Sequence, residues 1–180
     1  MYINLLVNIT SRAWTIPILA QLDAGIPGRQ APLLVATGAG RTAFAQSMDH
    51  LIKIGMIERN PGYGHPLRPE FRLTQMGKPV AKLARQINHI SQKEDQDLLR
   101  RSWTVPVLAC LHSMHHFAEI KYELLPITDR ALSQTLKTME TRNWVCREVD
   151  VLTRPPRSRY AAISTGKLIS EAAASAVTNF

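Results

Sequence analysis

The sequence predicts a mainly α-helical chain with small β-hairpins, built as two tandem copies of one domain. Two observations carry that expectation. The first is a long internal repeat: Arg12-Ala13-Trp14-Thr15-Ile16-Pro17-Ile18-Leu19-Ala20-Gln21-Leu22 returns 89 positions later as Arg101-Ser102-Trp103-Thr104-Val105-Pro106-Val107-Leu108-Ala109-Cys110-Leu111. Proline inside a helix costs about 3 kcal/mol, so its recurrence at Pro17 and Pro106 marks a duplication. The period exceeds the roughly 20–50 residues of a solenoid unit and suits a small domain. The second observation is that each copy ends in two short runs separated by a proline-bearing loop, which reads as a hairpin. The expected domains are 1–90, including a connecting helix, and 91–180.

The 180 residues are 45% hydrophobic, enough for two small cores. The formal net charge is +8 with an isoelectric point near 9.9, and the basic residues are spread through folded-looking sequence. That balance suits a polyanion such as nucleic acid; ordinary solubilising charge is the competing reading. The excess is uneven: residues 1–90 hold 10 Lys/Arg against 4 Asp/Glu, and residues 91–180 hold 12 against 10. Cys110 and Cys146 sit in apolar runs and read as reduced core thiols rather than a disulfide framework. The opening residues lack the basic region of a signal peptide, and no stretch approaches the roughly 20 apolar residues of a membrane span. The expectation is a cytoplasmic chain without a membrane partner.

The second copy is the easier to follow. Ser102 can cap a helix through Trp103, Val105, Leu108 and Leu111, with Pro106 near its first turn. His112-Ser113-Met114-His115-His116 reads as a turn, followed by an amphipathic stretch from Phe117 to Leu125 that Pro126 breaks. Thr128 then caps another helix, with Ile127 and Leu132 at hydrophobic-staple spacing. Leu132, Leu136 and Met139 form a core-facing stripe. The opposite face shows Arg130, Ser133, Gln134 and Lys137, with Arg142 just past the end; such side chains can donate to base edges or phosphates. Trp144–Val151 and Arg159–Ser164 read as strands around a turn at Thr153–Ser158, which places Arg154, Arg157 and Arg159 about a hairpin tip. Three short helices followed by a basic hairpin is a winged helix-turn-helix layout, with the last helix entering the major groove.

The first copy matches in its second half at an offset of 88. Phe44, Met48 and Leu51 answer Leu132, Leu136 and Met139, and Gln46 answers Gln134. Arg41, Thr42, Gln46 and His50, with Arg68 on the loop, are the DNA-binding candidates here. Phe71 answers Tyr160 and Gly77 answers Gly166, at 89 again.

With Trp14 and Trp103, Phe117-Ala118-Glu119-Ile120, Ile127-Thr128-Asp129-Arg130-Ala131-Leu132 and Arg157-Ser158-Arg159-Tyr160 in hand, the chain resembles the HxlR-type winged-helix transcription regulators, relatives of the MarR group. The resemblance covers most of the second copy, from about Leu99 to Leu168, and parts of the first. It implies a DNA-binding regulator, ordinarily one winged helix per chain acting as a homodimer. The family's Gly-Gly-Lys-Trp start keeps only its Trp in each copy, and Arg29-Gln30-Ala31-Pro32-Leu33 replaces the Phe-x-Glu-Leu stretch in the first. The cysteine that members often carry ahead of the first helix is absent from both copies.

Gly77 and Lys78-Pro79 mark the start of a connecting helix whose stripe is Val80, Leu83, Ala84, Ile87 and Ile90 or Ser91. Leu168, Ile169, Ala172, Ala173, Ala176 and Val177 make a comparable stripe at the other end. In single-domain relatives such terminal helices form the dimer interface, so here the contact could be intramolecular, giving a pseudo-dimer; a homodimer stays open, as does plain capping of each domain. His112, His115 and His116 lack the converging ligands of a metal site, and Gly38-Ala39-Gly40-Arg41-Thr42 lacks the residues of a phosphate loop. No cofactor and no enzyme are expected. The leading reading is a sequence-specific DNA-binding repressor, with double-stranded DNA as partner and relief by a small-molecule effector left open. The candidate effector pocket lies near Trp14, Trp103 and His112. The alternative is a winged-helix protein-interaction module that no longer reads DNA.

Overall fold

Proline at the third helical position, where no intrahelical N–H bond is lost, lets both copies of the repeated motif start a buried helix. In the computed structural model, which describes residues 2–61, 69–151, 154 and 156–177, these are α2 (Thr15–Asp23) and α7 (Thr104–Cys110). Trp14 and Trp103 occupy the N-cap positions, neither with a side-chain cap bond. Ser102 is therefore not the cap of α7; the helix begins two residues later. Ile18, Leu19, Val105, Val107 and Leu108 are fully buried, and burying a side chain of this size stabilises by roughly 1.5–3 kcal/mol.

The chain divides into two compact units. Among the described residues, one comprises Arg12–Gln96 and the other comprises residues 2–11 together with 97–177. The first helix, α1 (Tyr2–Thr10), packs on α7, burying Leu6 and Ile9, and Thr10 Oγ1 donates to the Ser102 carbonyl at 2.6 Å. The sequence division at residue 90 had grouped these residues with the first copy.

After α2, the Arg12–Gln96 unit continues with α3 (Gln30–Thr37) and α4 (Arg41–Lys53). The hairpin strands β1 (Ile57–Arg59) and β2 (Phe71–Leu73) come next, then α5 (Gly77–Ile90), which packs chiefly on α2. A short 3₁₀ turn at Lys93–Asp95 and α6 (Gln96–Leu99) lead to the second unit. There α7 is followed by β3 (His115–His116), α8 (Phe117–Glu123), α9 (Asp129–Thr141), β4 (Val145–Asp150), β5 (Arg157–Ala162) and α10 (Ser164–Val177). The strands form an antiparallel sheet in the order β3-β5-β4. His115 and His116 thus form an edge strand rather than a turn. The same position in the first unit is reduced to a single bridge between Arg29 and Glu70. In α10, Ile169 and Ala173 are buried, but Leu168 is 53% exposed and lies off the expected stripe.

The two copies share backbone detail as well as order. Met56 N–H donates to the Leu51 carbonyl at 2.9 Å, and Trp144 N–H to the Met139 carbonyl at 2.9 Å. The residues just before, Gly55 and Asn143, both have positive φ. A Cβ on Gly77 would lie 1.9 Å from the Met56 carbonyl oxygen, and one on Gly166 would lie 2.1 Å from that of Trp144. Only glycine allows the last helix of each copy to start so close to the hairpin's first strand.

Candidate nucleic-acid interface

Helix α9 is built for one wet and one dry face. Thr128 Oγ1 accepts from the Ala131 N–H at 3.2 Å, and Asp129 adds a carboxylate to the first turn, where the helix dipole favours it. Ile127 and Leu132 are both buried, in keeping with the staple. Leu132, Leu136 and Met139 face the core. Arg130, Ser133, Gln134 and Lys137, at i, i+3, i+4 and i+7, are all exposed on the other face. Among the described residues none of these four side chains bonds to another protein group. The donors of two cations, an amide and a hydroxyl are thus presented together along one side of the helix. Arg142, by contrast, is held by Asp97 at 3.2 Å.

The hairpin separates the three arginines expected at its tip. Arg154 and Arg157 are exposed. Arg159 instead lies within the sheet, paired across strands with His116 and Glu148, half-buried, with its Nε enclosed and unpartnered. Its register position, two residues inside β5, withdraws it from the tip. Arg147 Nε donates to Ser158 Oγ at 2.9 Å and braces the two strands.

The equivalent face of the first unit is different. Helix α4 begins after Gly40, which offers no side-chain cap, and has no acidic residue in its first turn. Phe44, Met48 and Leu51 are buried as expected, while Arg41, Thr42 and Gln46 are exposed and His50 is half-buried. At the offset of 88, Thr42, Ala45, Gln46 and Asp49 stand where Arg130, Ser133, Gln134 and Lys137 stand. Only the glutamine is kept, and an exposed carboxylate at Asp49 replaces a cation. The exchange of Lys for Asp was visible in the sequence once the offset was known. Arg68 lies outside the described residues, as do most of the loop that carries it and parts of the second hairpin tip.

The third candidate set is not assembled by either unit alone. Trp14 belongs to the first unit, and Trp103 and His112 to the second. The two tryptophans are half-buried at their helix starts, and His112 is exposed with its ring 5.5 Å from that of His115. His115 Nε2 lies 3.5 Å from Glu123 Oε1. Nearby, Cys110 is buried, whereas Cys146 is only half-buried in β4. Burial first, then a hydrogen bond to Glu123 and that residue's charge, push the Cys110 thiol far above the usual cysteine range. Among the described residues no cluster of His, Cys, Asp and Glu could hold a metal ion, and no helix is long and apolar enough to cross a membrane.

Comparison with known proteins bears on the second unit. Residues 98–177 match the family model for the HxlR-like helix-turn-helix, and no match extends over the first half. No curated protein and no solved structure matches the chain. The second half is therefore an HxlR-like helix-turn-helix domain, which implies DNA-binding transcriptional regulation; members of that family are transcription regulators rather than enzymes.

Proposed function

We propose that the chain is a sequence-specific DNA-binding regulator acting as a repressor, in which α9 reads bases and Arg154 and Arg157 hold the backbone. The observation that carries this reading is the exposed, internally unbonded row Arg130, Ser133, Gln134 and Lys137 on a capped helix of an HxlR-like domain. Arg130 and Gln134 lie one turn apart near the helix start, where a groove-entering helix meets base edges. The exposure of Arg154 and Arg157 at the hairpin supports a phosphate-holding role for them. In this reading the first unit is a degenerate second reader. Each unit would contribute one recognition helix, α4 in the first and α9 in the second. A small-molecule effector would relieve repression.

The test is a set of affinities for the DNA upstream of the protein's own gene and for random DNA, at two salt concentrations. Arg130→Ala or Gln134→Ala should remove about 1–3 kcal/mol of the preference for operator. Arg157→Ala should weaken both DNAs alike and lower the salt slope by about one. Unchanged operator preference in the helix variants would instead support a protein-interaction module, a reading that the Asp49 side of α4 favours. A footprint of one half-site would assign base reading to the second unit alone.

A further inference from the structure

The DNA-binding reading leaves unused a row of basic residues on α5, the last long helix of the first unit. Lys78, Lys82, Arg85 and His89 lie at i, i+4, i+7 and i+11, and all four are exposed. At about 1.5 Å of rise per residue the row is about 16 Å long, and its side chains leave one face of the helix. The opposite face, Val80, Leu83, Ala84 and Ile87, is buried, and α5 packs chiefly on α2. Helix α5 contains no Asp or Glu. The carboxylates of this part of the chain are engaged elsewhere. Asp23 lies 3.5 Å from Arg85, Glu58 2.7 Å from Arg72 and Glu70 3.6 Å from Arg29, while Asp49 is exposed on α4. Among the described residues neither Lys78 nor Lys82 pairs with a carboxylate.

The duplication supplies an internal control for what the fold itself demands. At the offset of 89, α10 keeps the buried positions, with Ile169 for Val80 and Ala173 for Ala84. Its exposed face differs. Lys78 corresponds to Lys167, whose ammonium has Glu171 at 4.0 Å. Glu171 itself stands where Lys82 stands, and Ala174 where Arg85 stands. Both exchanges run in one direction, so α5 is positive where α10 is balanced. On α4 the exchange with the second copy runs the other way, with Asp49 in place of Lys137. Relative to the second copy, the first unit thus gains lysine on α5 and loses it on the helix that matches α9. The shared frame requires neither change.

We propose that the exposed face of α5 is a second, sequence-independent docking surface for duplex DNA, on which Lys78, Lys82 and Arg85 hold backbone phosphates. Charge complementarity names the occupant: ammonium groups on flexible stems, along a helix free of carboxylates, suit a line of phosphates. The exposed residues of this face, with Gln86 beside the row, include no apolar side chain. The centre of a protein–protein interface is apolar and poor in lysine. A helix lying on a membrane needs its apolar side for lipid, whereas that side of α5 is packed within the protein. The HxlR-like domain implies DNA as a ligand of this chain, and DNA held there is a concentrated target for the rest of the chain. Such a surface adds affinity without adding sequence preference. It goes beyond the reading of bases by α9 and does not depend on it.

Binding of the full chain to a random-sequence duplex, followed by fluorescence anisotropy over a range of salt, tests the surface together with acetylation footprinting of its lysines. Lys78→Gln combined with Lys82→Gln should lower the salt slope by about two, one for each lysine. Lys78→Arg combined with Lys82→Arg should keep the slope. The duplex should slow acetylation of Lys78 and Lys82 and leave that of Lys167 as in the free protein. An unchanged slope in the double glutamine variant, or equal protection of Lys167, would overturn the proposal and make an acidic protein the better occupant of the row. Operator preference, measured with the same variants, separates this surface from α9. The double glutamine variant should weaken operator and random DNA alike; a selective loss on operator would overturn the sequence-independent role. Operator preference with an unchanged slope overturns the α5 surface alone. A slope loss of about two without any operator preference overturns base reading alone.

Discussion

Helices α4 and α9 occupy the same place in two copies of one frame, yet they present opposite surfaces. Both bury three large side chains at equivalent positions, and both end in the same hydrogen bond back from the residue that leads into the hairpin. Outward, α9 carries Arg130, Ser133, Gln134 and Lys137, while α4 carries Thr42, Ala45, Gln46 and Asp49. The buried set is what folding requires of either copy. The exposed set is free to diverge, so the difference between the helices isolates function from structure within a single chain.

The largest effect that would test the shared frame is on stability. Gly77→Ala and Gly166→Ala each force a methyl group into a carbonyl oxygen, and each should cost about 3 kcal/mol by overpacking. Denaturant unfolding measures this, and a loss below about 0.5 kcal/mol at either site would mean that the copies do not share this contact as tightly as described. Next comes base discrimination. Gln134→Ala should reduce operator preference by about 1–3 kcal/mol, whereas Gln46→Ala should do much less; equal losses in competition binding would show that both helices read DNA. Helix capping follows: Thr128→Ala should cost about 1 kcal/mol. Gly40→Ser, into open space at the matching cap, should instead gain a few tenths of a kcal/mol in thermal unfolding.

The smallest expected effect is electrostatic. Asp49→Lys gives α4 the cation of α9, and should steepen the salt dependence of DNA binding by about one phosphate contact if the first unit touches the backbone. An unchanged slope would place that face away from DNA. In the second unit, the two thiols offer a separate check on packing. Iodoacetamide should modify Cys146 in the native protein and reach Cys110 only on unfolding, since burial and Glu123 disfavour its thiolate. Equal native labelling would contradict the core of this unit.

Much of this was legible in the residues. The stripes of α4 and α9, the Thr128 cap and the equivalence of Gly77 with Gly166 follow from spacing alone. Other features were not. The helices before them, α3 and α8, align at an offset of 87, with Leu33 and Ile120 both fully buried and Val35 and Tyr122 both highly exposed. No shared motif reveals that register, because packing constrains one residue in each helix and leaves the rest free. Strand β3 is only two residues long and finds its partner more than forty residues later, so no local periodicity could announce it. Arg159 was grouped with the tip arginines because charge was visible and register was not.

The position of α1 has a consequence for the order in which the molecule can be completed. Its partner α7 lies about ninety residues downstream, and the whole Arg12–Gln96 unit is made between them. During synthesis, Leu6 and Ile9 leave the ribosome long before the surface that covers them exists. The intervening unit has all its own elements and can close first, whereas the HxlR-like half must wait for both ends of its sequence. A fragment beginning at residue 97 would therefore contain every candidate DNA contact of α9 and the second hairpin, yet expose the apolar seat that α1 fills.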